Sequence, residues 1–157
     1  MSKSRIAIAA LSISAAAFVG LLTHEGYQEA AYRPVAGDVW TAGFGTTQGI
    51  TAQTKLPPIQ ALARAFKDTS TFEGALKRCV LVPLHQHEYD AYISLSYNIG
   101  SNAFCNSTLV KLLNQEKYIE ACAQILRWNK FQGKELAGLT NRRKSEFDLC
   151  TKTKEVV

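Results

Sequence analysis

Residues 25–46 read Glu25-Gly-Tyr-Gln-Glu-Ala-Ala-Tyr-Arg-Pro-Val-Ala-Gly-Asp38-Val-Trp40-Thr41-Ala-Gly-Phe-Gly-Thr46, and this stretch decides the fold. Short apolar alternations run between turn signals at Pro34, Ala36-Gly37-Asp38, Gly43, Gly45 and Gly49. Such punctuation predicts a small β-hairpin or three-stranded unit within residues 23–50. Downstream, Pro57-Pro58 opens a helix, because proline is tolerated in a first turn. Ile59, Leu62, Ala63 and Phe66 follow at i, i+3, i+4, i+7 spacing, and Phe72, Leu76 and Cys79 resume it. One long helix is predicted over 58–79.

The rest reads as helical. Tyr89, Tyr92, Ile93 and Tyr97 form one stripe that Gly100 ends. Leu109, Leu112 and Leu113 mark a short helix, and Tyr118, Cys122, Ile125 and Leu126 another. Phe147 and Cys150 close a last helix beginning near Thr140. Asn106-Ser107-Thr108 has the pattern of a glycosylation sequon, but it reads better as a helix cap. His85 and His87 have no third ligand nearby and suit a polar helix start; no metal site is expected, and no cofactor. His24 only flanks Glu25. The tyrosines are expected in the core.

Upstream of Glu25 the chain has no acidic residue. Lys3 and Arg5 precede seventeen uncharged residues, 6–22. As a helix that run reaches ~26 Å, the short end of a bilayer core. Ala, Ser and Gly fill nine of its positions, so it is only weakly apolar. The positive end stays on the cytoplasmic side, which directs the remainder outward. Three export readings are open: a signal peptide cleaved at Ala15-Ala16-Ala17, a permanent anchor, and a segment that inserts and later leaves. The alternative is a buried helix of a water-soluble fold.

The chain has 157 residues, 46% hydrophobic and 20% charged, which fits one globular domain and excludes disorder and a multi-span membrane protein. Eighteen Lys+Arg against thirteen Asp+Glu give +5. That charge favours anionic partners without choosing among nucleic acid, membrane and cell wall. The basic residues are dispersed and no recognition motif appears, so nucleic acid is not expected. Four cysteines without zinc spacing suggest disulfides in an oxidising compartment. Four allow three pairings, and spacing does not choose.

Glu25 ends the apolar run, and Asp38 and Thr41 share one hairpin. A helical Glu ahead of a hairpin Asp suits glycoside hydrolysis. One carboxylic acid protonates the leaving oxygen there, and a second carboxylate activates water or stabilises the positive ring.

These residues resemble the phage-type lysozymes. The likeness runs through Glu25-Gly26-Tyr27, Ala31-Tyr32 and Asp38-Val39-Trp40-Thr41-Ala42-Gly43-Phe44-Gly45-Thr46. It continues in Leu95-Ser96-Tyr97-Asn98-Ile99-Gly100, Ser107-Thr108-Leu109, Leu113-Asn114, Arg127-Trp128 and Gly138-Leu139-Thr140-Asn141-Arg142-Arg143 with Glu146. The resemblance covers residues 23–150. It implies a lysozyme-like α+β fold: a small β lobe (23–57), a connecting helix (58–79) and a larger helical lobe (80–157), behind an N-terminal apolar helix (1–22). It implies a monomeric muramidase cutting peptidoglycan between N-acetylmuramic acid and N-acetylglucosamine. Glu25 matches the general acid, Thr41 the hydroxyl that holds the catalytic water, and Asp38 the second carboxylate. One departure stands out. Where many members carry the Asp, counting from Glu25, this chain has Pro34, and Asp38 sits nearer Thr41. Arg142 resembles the arginine that pairs with the acid, and Asn98 and Asn141 are placed to bind N-acetyl groups. The family's helical lobe implies pairing of Cys122 with Cys150 and of Cys79 with Cys105. A lytic transglycosylase using Glu25 alone and a non-catalytic wall-binding protein are the rival readings.

Glu25 lies three residues past Leu22, so a membrane-spanning 6–22 holds it near the bilayer edge and idle. The arrangement resembles signal-anchor-release endolysins of phages infecting Gram-negative bacteria. It implies residence in the host inner membrane, N-terminus in, then the periplasm after release.

Overall fold

A computed structural model of the chain describes residues 4–152, which fall into two units. Residues 18–71 make one; residues up to 17 together with those from 72 onward make the other. Lys3, expected to carry part of the N-terminal charge, and the last five residues of the expected helical lobe lie outside the described residues.

In the unit of residues 18–71, helix α1 (Ala15–Glu25) hands over to an antiparallel pair, β1 (Gln28–Tyr32) and β2 (Thr41–Gly43). Gln28 pairs with Gly43 and Tyr32 with Thr41, with an irregularity between them. A third segment joins the other edge of β1. Ala31 N–H donates to Thr54 O (3.0 Å), and Leu56 N–H to Glu29 O (2.9 Å). The hairpin and three-stranded expectations thus meet in one structure. Its small core is Ala42, Leu56 and Ala61, with Ala31, Phe44 and Ile50 packed around.

Helix α2 (Pro58–Cys79) has the predicted bounds. Of the stripe that revealed it, Leu76 is buried in the core with Cys79 packed beside it, but the first half is not the buried face. Ile59, Leu62 and Phe66 are exposed, whereas Ala61 and Ala65 are wholly buried. Alanines win that face because the backbones come close. A Cβ added at Gly43 would lie 3.0 Å from the Ala61 Cβ.

The second unit centres on α3 (Gln86–Ile99), buried on nearly every side. Around it lie α4 (Ser101–Cys105), α5 (Thr108–Leu113), α6 (Tyr118–Gln124), the short hairpin β3–β4 (Lys130–Phe131 and Lys134–Glu135) and α7 (Ala137–Cys150). Tyr89, Tyr92, Phe104, Leu109, Leu113 and Ile125 pack with almost no exposure. Each such side chain contributes roughly 1.5–3 kcal/mol. Tyr97 stacks its ring on Phe72 at 4.9 Å. Ser107 caps α5 by accepting the Val110 N–H at 3.3 Å. His85 starts α3 with a capping box shared with Glu88, and its ring stacks on His87. Cys79 is bonded to Cys105 and Cys122 to Cys150, the pairing the resemblance implies. The last helix starts at Ala137, a turn before the expected Thr140.

The leading run corrects one expectation. Residues 6–22 are not a single apolar helix. A 3-10 turn holds Ile8–Ala10, Ile6 pairs with Leu84, and α1 begins only at Ala15. Among the described residues no helix is long and apolar enough to cross a membrane. Ser14 supplies the break. Its Oγ accepts the Ala17 N–H (3.1 Å), capping α1, and donates to Asp90 Oδ2 (2.7 Å), while its own N–H reaches Asp90 Oδ1 (2.9 Å). Ile13 N–H donates to Glu73 Oε1 (2.7 Å), and Gln86 Nε2 to Ser12 O (2.7 Å). Arg5 grips buried Glu88 through two hydrogen bonds (3.0 and 2.7 Å) and lies 3.4 Å over the Tyr118 ring. Leu11 is buried in the same core.

Replacing Asp90 by Ala strands the Ser14 N–H and hydroxyl together. Asp90→Ala is expected to lower the unfolding free energy by about 2–4 kcal/mol, since each orphaned buried partner costs about 1–3 kcal/mol. Urea unfolding checks it: the midpoint falls while the slope holds.

Candidate active site

Glu25 is the last residue of α1, half-buried. Gly26 turns the chain out of the helix with φ +69°, a value that glycine adopts without strain, and its N–H still closes on Leu22 O at 3.0 Å. The Glu25 carboxylate then lies against the turn that follows β2. A Cβ added at Gly45 would stand 3.1 Å from Glu25 Oε2, and Gly45 has φ +82°. Only glycine suits both demands. The turn is closed by mutual Ala42–Thr46 backbone hydrogen bonds (3.0 and 3.1 Å) and anchored by Thr46 Oγ1 donating to Asp68 Oδ2 (2.7 Å). From the other side Tyr27 fixes the hairpin: its hydroxyl donates to Leu56 O (2.8 Å) and its ring meets Phe44 at 5.3 Å.

Thr41 opens β2 and is buried. Asp38 is exposed at the tip of the hairpin. Its N–H closes the Val35 turn (3.0 Å), and its Oδ1 accepts the Val39 N–H (2.9 Å). Beside it the Arg33 guanidinium covers the Trp40 ring at 4.6 Å. The unit therefore gathers one carboxylate over a glycine turn, one buried threonine on the strand feeding that turn, and one carboxylate at an outer loop.

The other singled-out residues belong to the helical unit. Arg142 and Arg143 are both buried and share Glu146. Arg142 Nε donates to Glu146 Oε1 (3.2 Å) and its Nη2 to Ser94 O (3.3 Å). Arg143 Nε lies 2.8 Å from Glu146 Oε2, and its Nη2 donates to Asn98 Oδ1 (3.0 Å). Asn98 is thereby oriented by Arg143, while Asn141 is exposed on α7. Sequence reading singled out Arg142 and passed over Glu146 as its ion partner. The i, i+3, i+4 spacing of Arg143 and Arg142 to Glu146 was the available signal. It also passed over Gly45 and Thr46–Asp68, whose roles depend on contacts remote in sequence.

The chain is similar to known proteins. The family model "Phage lysozyme" matches residues 22–146. An endolysin of Acyrthosiphon pisum secondary endosymbiont phage 1 is 37% identical over 140 residues, covering 87% of this chain and 95% of that one. A SAR-endolysin of Pseudomonas phage phiKMV is 36% identical over 140 residues, covering 87% and 86%. Among solved structures, the muramidase domain of SpmX from Asticaccaulis excentricus superposes with a TM-score of 0.83 at 28% identity, covering 90% and 98%. The fold is lysozyme-like, helices with small antiparallel sheets.

Gly45→Ala is expected to push the Glu25 carboxylate off its seat. Lysis of outer-membrane-stripped cells should fall about 10–100-fold, in line with the cost of misplacing a catalytic group by an ångström. Thermal unfolding should show the protein still folded.

Proposed function

We propose a muramidase reaction for this chain, which belongs to the phage lysozyme family. Peptidoglycan hydrolysis as an endolysin is the activity the family carries; the bond cut is the β-1,4 link between N-acetylmuramic acid and N-acetylglucosamine. The observation that carries the reading is Glu25 at the end of α1, seated over Gly45 in the same hairpin unit as buried Thr41. Glu25 donates its proton to the glycosidic oxygen as the bond breaks. Positive charge then builds on the sugar ring. Thr41 holds the water and Asp38 activates it, so that attack from the opposite face inverts the anomeric centre. Asn98 and Asn141 bind N-acetyl groups. The enzyme works as a monomer and needs no cofactor.

Glu25→Gln is expected to cost at least 10²–10⁴-fold in wall hydrolysis, the usual worth of a general acid, without loss of fold. Mass analysis of digested peptidoglycan should show reducing ends. Anhydro ends, with activity surviving Asp38→Asn, would establish a transglycosylase instead.

We also propose that the segment at 6–22 starts in the host inner membrane, N-terminus inward, and later leaves it for the periplasm. Two observations support this. The run is uncharged but only weakly apolar, and residues 5–14 have a prepared place in the helical unit. In the membrane, Glu25 is held at the bilayer edge and idle. Collapse of the membrane potential is expected to move the chain, at full mass, from membrane to soluble fraction. A periplasmic chain shortened after Ala17 overturns release in favour of cleavage.

A further inference from the structure

Helix α2 carries a surface that the chemistry does not use and that the fold uses only through Phe66 against Phe18 and Arg64 Nη2 donating to Gln48 O (2.5 Å). At 100° per residue its first turns divide into three arcs. Ala61, Ala65 and Thr69 form the buried arc. Gln60, Arg64 and Lys67 form a polar, basic arc. Ile59, Leu62, Ala63 and Phe66 form an apolar arc turned to solvent, with Ile59 83% and Phe66 60% exposed. Phe66 is held rather than adrift: the Phe18 ring of α1 meets it edge-on at 5.6 Å. Val19, next to Phe18, is 62% exposed. The apolar patch thus spans two helices of one unit. A cavity of about 360 Å³, lined by Leu56, Gln60, Ala63, Arg64 and Lys67, borders it.

We propose that this face docks on an anionic phospholipid surface. Exposed Ile, Leu and Phe side chains enter the acyl boundary, and Arg64 and Lys67 meet phosphodiester headgroups at the cavity rim. An apolar arc bordered by basic residues is the pattern of helices that lie in a bilayer interface. The charge is matched to that occupant. From Pro58 to Lys67 every charged residue of α2 is positive, and the next, Asp68, is engaged by Thr46. The stripe is also small. Two turns of helix and one neighbour fall short of the ~800 Å² per partner of a stable protein interface. A fluid surface needs no such complementarity.

The test uses the full-length protein sedimented with vesicles of phosphatidylglycerol and phosphatidylethanolamine, or of phosphatidylcholine alone. Binding to the anionic vesicles is expected, weakening with salt and at least several-fold lower on neutral ones. The combined variant Ile59→Ser, Leu62→Ser, Phe66→Ser should lose about tenfold in partitioning, and Arg64→Gln with Lys67→Gln should abolish the preference for anionic lipid. None of these residues belongs to the catalytic machinery, so lysis of stripped cells should be unchanged. Should the combined variant fail to fold, Ile59→Ser alone serves, with a severalfold loss. Binding that either stripe variant leaves unchanged overturns the proposal and assigns the attraction to the N-terminal segment. Absence of wild-type binding overturns it too.

Discussion

A charge taken out of water must find its counter-charge, and in the helical unit this rule decides where the N-terminus goes. Glu88 and Asp90 sit on α3 almost wholly buried. The unpartnered carboxylate would be expensive there, and residues 5–14 supply what it needs: a guanidinium for Glu88, and an N–H and a hydroxyl for Asp90. Glu73 accepts both the Ile13 N–H and the Tyr89 hydroxyl (2.8 Å). Burial and that bond push the Tyr89 pKa far above its ordinary value, so the hydroxyl remains a donor. The segment is therefore a structural part of this unit, bound by polar directionality as much as by the burial of Leu11.

The hairpin unit rests on the opposite device, absence of bulk. Glu25 reaches its place because Gly45 has no side chain, and Gly43 lets Ala61 approach for the same reason. Around these two gaps the hairpin is fixed by bonds that are remote in sequence, Thr46 to Asp68 and Tyr27 to Leu56. A side chain can be positioned by what surrounds it or by what is missing beneath it. Here both operate within one turn of chain.

Much of this was legible beforehand. Turn chemistry announced the hairpin, and 3.6-residue spacing announced α2 to its end residues. The Glu25–Asp38–Thr41 set came from the resemblance to phage-type lysozymes, since a Glu and an Asp among glycines are by themselves a weak signal. The failures have physical causes. Periodicity reports that a helix has an apolar stripe, not that the stripe is buried, and in α2 close backbone approach gave the core to alanine. The uncharged run at 6–22 looked like one helix because hydropathy ignores the serines. Ser14 capped α1 and ended the reading there. Asp90 was invisible as the partner of Ser14, since a hydrogen bond across 76 residues leaves no mark in local spacing.

The N-terminal run serves two solvents on the proposed course from bilayer to water, and its composition explains how. In hydrocarbon only a continuous helix satisfies every backbone group, and alanine and serine allow one. In water that helix loses its advantage, because few of its residues are large enough to gain by staying apolar. The backbone donors of Ile13 and Ser14 then find carboxylates on the folded unit, and Ser14 changes from an interior helical residue to a cap. A run of leucines would favour the bilayer too strongly to leave; a run without Leu11 and Ile13 would have nothing to bury on arrival. On that course the weak hydropathy of the segment would let it leave the bilayer, and the acidic receptors Asp90 and Glu73 would hold it on arrival.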